Sequence, residues 1–242
     1  DMKNINRIVL LGGGDLLRKI CLWSKVEGVQ ISVVIAPRNA DEESKKGELL
    51  GDFLKKQNVS FIIAEDISSN NVANFIGNTN DALCVSCNAA WIFKEQLIKT
   101  LFMGRLFNEH GTRLPQNRGG GGFSWQIMMG VRFGFSQIHL IDGGVDTGAI
   151  VCTKEFLYPP SCRIPEDYEK VSVEMSFNCL VDFISMIRSD QFEVEAIKQS
   201  EYFSSYWPRL NSVISGWIDW NTNIHDLERF ICAFDNPYEG AK

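Results

Sequence analysis

Short apolar runs alternate with longer, mixed stretches through the first 110 residues, and this alternation constrains the fold more than any other feature. Four of the runs have the length of strands and are rich in β-branched residues: Ile8–Leu11, Ile31–Ala36, Ser60–Ala64 and Ala82–Ser86. Strands that are buried on both faces of a sheet are nearly all apolar. The stretches between them, such as Asp15–Glu27 and Asp41–Gln57, have helical length. The sequence therefore predicts an α/β fold with a Rossmann-like, mostly parallel sheet between helices.

The pattern changes after Asn108. Two further strands are predicted at Phe133–Leu140 and Ala149–Phe156. A long helix follows, and its apolar stripe comprises Phe177, Leu180, Val181, Ile184 and Ile187. The chain is rich in aromatic residues from about Ser200, and a last helix is predicted with Asn223 as its N-cap. The apolar face of this last helix comprises Ile224, Leu227, Ile231 and Phe234. We therefore divide the chain into a main domain over residues 1–195 and a short C-terminal extension over residues 196–242.

Composition and charge argue against several classes of protein. The net charge of −6 disfavours nucleic-acid binding, which needs clustered Lys and Arg side chains. The longest apolar run, Ala89–Phe93, has five residues, whereas a membrane-spanning helix needs about twenty. The first residues lack the apolar segment of a signal peptide, so we expect a cytoplasmic protein with no membrane partner. The seven scattered cysteines indicate reduced thiols rather than a disulfide framework.

Polar residues that could support catalysis concentrate between residues 105 and 148. Asn108 and His110 stand two residues apart at the end of a predicted strand, so their side chains can project to the same side. The carboxyl ends of parallel strands are where open α/β folds place ligands. Asp146 lies in a glycine-rich loop that can bring its carboxylate close to His110. An amide donor, an imidazole base and a carboxylate suit acyl transfer, and a structural, hydrogen-bonded role for His110 is the alternative.

The motifs of this region closely resemble those of the formyltransferases that use N10-formyltetrahydrofolate. The pattern Asn-x-His at 108–110 precedes Leu-Pro-x-x-Arg-Gly at 114–119 and Trp125, and Ile-Asp-x-x-Val-Asp-Thr-Gly follows at 141–148. The resemblance implies the formyltransferase fold and N10-formyltetrahydrofolate as co-substrate. It also implies a catalytic trio of Asn108, His110 and Asp146. Two departures from the family pattern are Thr112, where a small Ser or Asn is usual, and the four consecutive glycines at 119–122.

The C-terminal extension is similar to that of the subgroup acting on nucleotide-linked amino sugars. The similarity lies in the string Gly216–Trp220 and in the segment from Phe230 to Ala241. It implies formyl transfer to the amine of a dTDP-linked 3-amino- or 4-amino-dideoxy sugar, for O-antigen, lipopolysaccharide or other bacterial surface-polysaccharide biosynthesis. It also implies a homodimer formed through the C-terminal region.

The resemblance further implies where the folate binds. Its pterin ring would occupy a slot between the sheet edge and the 141–146 loop, against Ser86, Asn88, Ala89, Ile141 and Asp142. Small residues at such a slot allow a flat ring to approach closely.

The nucleotide has candidate partners in the extension. Tyr206, Trp207 or Trp217 could stack on a base, and Arg209 or Lys242 could face the diphosphate. The alternative is that these aromatic residues belong to the core or to a subunit interface.

Several rival functions are less consistent with the sequence. Methionyl-tRNA formyltransferase is the nearest, but residues 196–242 hold four Lys or Arg against six Asp or Glu, a local charge of −2 that fits tRNA badly. Glycinamide ribonucleotide formyltransferase shares the trio but not the 216–241 string. A formyltetrahydrofolate hydrolase usually has an extra regulatory domain. From another class, a non-catalytic nucleotide-binding module would be expected to have lost one of the trio.

Three weaker motifs receive structural interpretations. Cys84 and Cys87 have redox spacing but end a predicted buried strand. His139 and His225 are not placed to complete a zinc site, so no metal is expected. Gly12-Gly13-Gly14 lacks the Gly-x-Gly-x-x-Gly spacing, so no nicotinamide cofactor is expected.

Overall fold

Seven strands form one sheet in the computed structural model of the protein, which describes residues 5–44, 46–189 and 194–242. The first four residues, on which the signal-peptide expectation partly rests, lie outside the described residues. The strands are, in chain order, β1 (Arg7–Gly12), β2 (Gln30–Ile35), β3 (Ser60–Ile63), β4 (Ala82–Cys87), β5 (Leu106–His110), β6 (Phe133–Leu140) and β7 (Ile150–Leu157). Their spatial order is β3-β2-β1-β4-β5-β6-β7. The first five strands are mutually parallel, whereas β6 and β7 are each antiparallel to their neighbours. This arrangement confirms the predicted mostly parallel sheet.

The α-helices of the described residues lie mainly on the two faces of this sheet. They are α1 (Gly14–Val26), α2 (Pro37–Ala40), α3 (Leu50–Lys56), α4 (Asn70–Ile76), α5 (Glu95–Thr100), α6 (Gly122–Met128), α7 (Pro165–Arg188), α8 (Ser212–Ser215) and α9 (Ile224–Ala233). Within the described residues, no helix combines the length and the apolar composition needed to cross a membrane.

The central strands bury side chains on both faces, which explains their nearly continuous apolar sequences. On β1, Ile8 and Leu10 pack with residues of α1, α3 and α7, whereas Val9 and Leu11 pack with residues of α4 and α5. All four side chains are fully buried. At about 1.5–3 kcal/mol for each buried Leu, Ile or Val, these two layers provide the main driving force for this part of the fold.

The long helix α7 has the predicted position and buries most of its predicted stripe. Leu180 and Ile184 are fully buried against the sheet, and Ile187 lies beside them. Pro165 occupies its first turn, where a missing N–H costs nothing. The Asp167 carboxylate accepts hydrogen bonds from the backbone of Arg163 (3.0 Å) and completes the start of the helix.

The predicted helix over Asp41–Gln57 is wrong in its first half, because only α3 is helical there. The Ser44 hydroxyl accepts hydrogen bonds from the backbone N–H groups of Lys46 and Glu48, a local alternative to helical pairing. Gly47 takes a φ of +75°, which a right-handed helix does not allow. The segment is therefore a turn.

The last helix, α9, begins at the predicted residue, but part of its predicted apolar face is exposed rather than buried. The Asn223 side chain accepts hydrogen bonds from the backbone of His225 and Asp226, both at 3.1 Å, which confirms the N-cap. The helix ends at Ala233, and Phe234 just beyond it is buried. In contrast, Ile224 and Ile231 of the predicted stripe are 75% and 41% exposed. The stripe therefore leaves an apolar surface on the single chain.

Candidate active site

The three side chains of the predicted trio come together at the carboxyl end of β5. His110 Nδ1 lies 3.8 Å from Asp146 Oδ2. Asn108 reaches the same carboxylate through a fourth residue: its Nδ2 lies 3.2 Å from His139 Nε2, which is 3.6 Å from Asp146 Oδ1. The structure therefore brings Asn108, His110 and Asp146 into one cluster, and their catalytic roles remain a prediction.

His110 is oriented by the loop that follows β5. Its Nε2 lies 2.8 Å from the Asn117 carbonyl oxygen and 2.7 Å from the Thr112 hydroxyl. Because a carbonyl oxygen can only accept, Nε2 carries the proton and the lone pair of the neutral ring is on Nδ1. The Asn117 carbonyl therefore selects the tautomer of His110. Thr112, a departure from the family pattern, takes part in the same arrangement.

Burial and charge set the protonation states of the pair. Burial lowers the pKa of His110 below its ordinary value of 6.5, although the nearby Asp146 carboxylate acts in the opposite direction. Burial raises the pKa of Asp146, but the nearby imidazoles of His139 and His110 and the Gly119 amide outweigh this and lower it to about 2. The Gly119 N–H donates to Asp146 Oδ2 at 2.9 Å. At neutral pH the site therefore presents a neutral imidazole beside an ionised carboxylate.

His139 belongs to the site, although the sequence analysis weighed it only as a metal ligand. It is 2% exposed, and its Nδ1 lies 2.7 Å from the Leu140 carbonyl oxygen, so Nδ1 donates a hydrogen bond to that oxygen. Its Nε2 then accepts from the Asn108 amide, which fixes that carboxamide with its second N–H free. His139 lies directly opposite Asn108 in the antiparallel pair of β5 and β6. This strand register is the signal that would have identified it.

Two further residues hold the Asp146 loop in place. Gln199 Nε2 donates to the backbone oxygens of Asp146 (2.8 Å) and Gly148 (2.7 Å). Gln199 Oε1 accepts from Arg118 Nε and Nη2, both at 3.1 Å. Arg118 in turn pairs with Glu201 at 2.8 Å. Arg118 of the Leu-Pro-x-x-Arg-Gly motif thus supports the Asp146 loop through Gln199. These residues are too far apart in sequence for motif spacing to predict the contact.

The glycine run at 119–122 lies directly against the C-terminal segment. The backbone N–H of Arg118 donates to the Ser205 carbonyl (3.0 Å), and Trp207 N–H donates to the Arg118 carbonyl (2.7 Å). Gly119 has a φ of +97°, and a Cβ there would lie 2.5 Å from the Trp207 oxygen. A Cβ at Gly121 would collide with the Pro208 oxygen. Glycine is therefore required at positions 119 and 121 because another backbone passes over them.

A cavity of about 690 Å³ opens beside these residues. All five residues predicted for the pterin slot line it: Ser86, Asn88, Ala89, Ile141 and Asp142. The Asp142 side chain is already engaged within its own loop, where it accepts hydrogen bonds from the Gly144 N–H (3.0 Å) and the Thr147 hydroxyl. Other lining residues that the sequence analysis did not select are Gly13, Trp91, Ile92, Glu109, Ser176 and Tyr238.

The five residues predicted for the nucleotide separate into two groups. Tyr206 and Arg209 line the cavity, on the side of the glycine run. Trp207, Trp217 and Lys242 do not line it. Trp207 packs on Trp125 with ring centroids 6.2 Å apart, Trp217 Nε1 donates to the Val213 carbonyl at 2.9 Å, and Lys242 pairs with Glu239 at 3.4 Å. These three side chains therefore make contacts outside the cavity wall.

The glycine motif at 12–14 and the pair Cys84 and Cys87 lie in surroundings that fit a structural role. The Gly14 N–H at the start of α1 donates to the Glu42 carboxylate, so an acidic side chain of the protein itself occupies this helix N-terminus. Burial raises the pKa of the Cys84 thiol to about 12 and that of Cys87 well above its ordinary value, which makes both poor nucleophiles. Among the described residues, no group of three or more His, Cys, Asp or Glu side chains is arranged to hold a metal ion.

The chain resembles known proteins in sequence and in fold. No family model matches the chain. Among curated proteins, it is 29% identical to the methionyl-tRNA formyltransferase of Clostridium tetani over 131 residues, which is 54% of this chain and 41% of that protein. The chain spans less than half the length of the first curated relatives that it matches.

Solved structures align over nearly the whole chain. WlaRD, a sugar 3N-formyltransferase solved with dTDP and 5-N-formyl-THF, has a TM-score of 0.76 at 20% identity and covers 95% of this chain and 79% of its own. An N-formyltransferase from Helicobacter canadensis, in complex with folinic acid and dTDP-3-aminofucose, has a TM-score of 0.75 at 19% identity, covering 94% and 80%. The chain therefore has the formyltransferase fold. Both of these structures are N-formyltransferases, and both were determined with a dTDP compound and a folate.

Proposed function

We propose that this protein transfers a formyl group from N10-formyltetrahydrofolate to the amine of a nucleotide-linked amino sugar. The observation that carries the proposal is the cluster of Asn108, His110 and Asp146 on the wall of one large cavity. An amide donor, a neutral imidazole and an ionised carboxylate are the groups that acyl transfer to an amine requires.

We propose one step of the reaction for each of the three groups. The neutral amine of the sugar attacks the formyl carbon, and a new carbon–nitrogen bond forms. Asn108 donates its free N–H to the oxygen that becomes negative, while His110 Nδ1 takes the proton that the amine releases. Asp146, 3.8 Å away, stabilises the imidazolium. The proton then passes to the folate N10 as its bond to the formyl carbon breaks, and tetrahydrofolate leaves.

The residues of the slot fit a flat, polar ring. The side of the cavity between Ser86 and the 141–146 loop is lined by small side chains and backbone, with Ala89, Gly143 and Gly144 among them. A ring can therefore approach the backbone closely, and backbone N–H and C=O groups can recognise its edge. We propose Ser86, Asn88, Ala89, Ile141 and Asp142 as the pterin contacts.

The substrate assignment draws on the structural neighbours and on the cavity rim. The neighbours were solved with dTDP or dTDP-3-aminofucose. In this chain Tyr206 and Arg209 line the cavity, so an aromatic ring and a guanidinium are available for a base and a diphosphate. We propose a dTDP-linked 3-amino- or 4-amino-dideoxy sugar as acceptor, with the extension over residues 196–242 as its binding region. A role in bacterial surface-polysaccharide biosynthesis and a cytoplasmic location belong to the same proposal.

We also propose a homodimer formed through the C-terminal extension. Its large apolar side chains are exposed on the single chain: Val213, Ile214, Trp217, Trp220, Ile224 and Ile231. A group of exposed large apolar side chains within one short segment is typical of an interface between subunits. Light scattering coupled to gel filtration should give twice the chain mass for the protein and a single chain mass for the Ile214→Glu variant. A single chain mass for the unaltered protein contradicts the dimer.

The activity is tested by incubating the protein with N10-formyltetrahydrofolate and a panel of dTDP- and UDP-linked amino sugars, while tetrahydrofolate release is followed. We expect release that depends on one class of amino sugar, with Asn108→Ala as the inactive control. Release without any sugar indicates a hydrolase. No release with any amine indicates a binding module.

Methionyl-tRNA formyltransferase is the second candidate, because the first curated relatives carry that name. The same assay with initiator methionyl-tRNA as acceptor distinguishes it. The local charge of −2 over residues 196–242 is the observation against it, since tRNA binding needs clustered positive charge.

A further inference from the structure

Glu109 is a carboxylic acid in the cavity wall for which the proposed mechanism has no role. It stands between Asn108 and His110 on β5, so its side chain points to the opposite face of the sheet, toward α7. The Ser136 hydroxyl (3.0 Å) and the Ser176 hydroxyl (2.6 Å) both donate hydrogen bonds to its Oε1. One oxygen of the carboxyl group is thus held firmly between β6 and α7.

The other oxygen, Oε2, accepts no hydrogen bond from the described residues. It is also not one of the fully enclosed, unpartnered side-chain atoms of the described residues. Glu109 itself lines the cavity, so its carboxyl group is within reach of a molecule bound there. Burial raises the pKa of this carboxyl group, which reflects the cost of a charge in this wall.

The surroundings of Glu109 are polar, and the charge that acts to lower its pKa is that of His139 rather than of a Lys or Arg. Ser172 and Ser176 of α7 line the same part of the cavity, and both are at least 95% buried. No Lys or Arg of the described residues forms an ion pair with Glu109. A carboxyl oxygen in such a wall is stabilised only when a ligand or a water molecule donates a hydrogen bond to it.

We infer that Glu109 determines acceptor specificity: its Oε2 accepts a hydrogen bond from a hydroxyl or ammonium group on the ring that carries the reacting amine. The inference rests on the proposed function and names a further part of its substrate site. An acceptor that places an apolar side chain beside Glu109, such as a methionyl group, would exclude water from Oε2 and leave this oxygen without a hydrogen bond. Sites built to bond a polar group reject analogues that lack it by large factors. The wall therefore selects a hydroxylated amino sugar over an aminoacyl acceptor.

Glu109→Gln tests this with little change in shape. The amide oxygen of Gln can still accept from Ser136 and Ser176, so the link between β6 and α7 is kept. Its NH2 group then occupies the position of Oε2 and replaces an acceptor by a donor. Glu155→Gln on the exposed side of β7 makes the same change of charge away from the cavity and serves as the control.

The measurements are kcat and KM for the accepted amino sugar, the Kd of 5-formyltetrahydrofolate, and the Tm. We expect Glu109→Gln to raise the KM for the sugar by about ten- to a hundredfold, in line with the loss of one hydrogen bond to a charged group. The folate Kd and the Tm should stay close to those of Glu155→Gln and the unaltered protein. An unchanged KM, or a folate Kd that rises by the same factor, overturns the inference.

A second comparison keeps the inference testable if Glu109→Gln does not fold. The unaltered protein is assayed with deoxy analogues of the accepted sugar, each lacking one ring hydroxyl. At least one analogue should show a similar rise in KM; equal KM values for all of them contradict a bonded hydroxyl. If Glu109→Gln folds, its KM for that analogue should equal the KM of the unaltered protein for the same analogue. Should the unaltered protein transfer to no amino sugar, the proposed function itself fails, whereas transfer with an unaffected variant removes only the role of Glu109.

Discussion

The replacement of Asp146 by Asn tests the electrostatic core of the proposed mechanism. Asp146 has a φ of +53°, a conformation that Asn tolerates and Ala does not, so Asp146→Asn removes the charge without straining the backbone. The amide oxygen of Asn can still accept from the Gly119 N–H. The variant therefore isolates the effect of the negative charge.

The loss in rate can be worked from the distance between the two charges. In the transition state a positive imidazolium forms 3.8 Å from the carboxylate. At an effective dielectric constant of about 20, this pair is worth about 4 kcal/mol, which corresponds to roughly a 10³-fold decrease in kcat. Rapid-quench measurement of formyl transfer under single-turnover conditions reports this step directly. A variant that keeps kcat within tenfold of the unaltered protein refutes the assigned role of the carboxylate.

The same substitution should lower the free energy of unfolding. The pKa of Asp146 is lowered from 3.8 to about 2 on folding, so the ionised carboxylate stabilises the protein by about 2 kcal/mol above its unfolded pKa. This contribution is lost as the pH falls through the folded pKa. We therefore expect a Tm roughly 4–8 °C lower for Asp146→Asn at neutral pH, and a gap that narrows below about pH 4. Calorimetry across this range measures the difference in Tm, and a difference that is independent of pH contradicts the lowered pKa of Asp146.

Three further predictions concern the same cavity. Asn108→Ala should lower kcat by about 10²–10³ with little change in either KM, and near-normal turnover contradicts its role as oxyanion donor. Because the neutral form of His110 is the active one and burial lowers its pKa, kcat at saturating acceptor should stay constant as the pH falls to about 6.5 and decrease only below that value. A decrease centred above this pH is inconsistent with a buried base. Gly119→Ala, whose Cβ would meet the Trp207 oxygen, should raise the KM for the nucleotide sugar at least tenfold, whereas Gly51→Ala in α3, whose Cβ would make only ordinary van der Waals contacts, should raise it by less than twofold. Equal values for the two glycine variants contradict the packing argument.

Features that depend on local pattern could be predicted from the sequence. The burial of β1, β2 and β4 follows from their apolar composition, and the proximity of Asn108 and His110 follows from the period of two along a strand. The helix predicted over Asp41–Gln57 failed because one serine and one glycine formed a turn within a helical pattern. Local patterns thus predicted which strands and helices form more accurately than the residues at which they begin and end.

Features that depend on pairing between distant segments could not be predicted. His139 joins the site only because the register of β5 and β6 places it opposite Asn108. Gln199 supports the Asp146 loop across 53 residues of chain, and no spacing rule connects the two. Trp217 is an aromatic residue like Tyr206, yet only the fold shows that one of them lines the cavity. Such long-range relations require the three-dimensional structure.

The passage of the 205–208 backbone over the glycine run bears on attempts to engineer this scaffold. The Gly119 N–H donates to Asp146, and Gly119 also packs against the backbone of Trp207. One residue therefore contacts both the proposed catalytic cluster and the C-terminal extension. A chimera that exchanged everything after residue 195 for the tail of a relative would therefore disturb the acid–base centre along with the choice of acceptor. A chimera that keeps its activity would require residues 118–122 and the C-terminal extension to be taken together from the same relative.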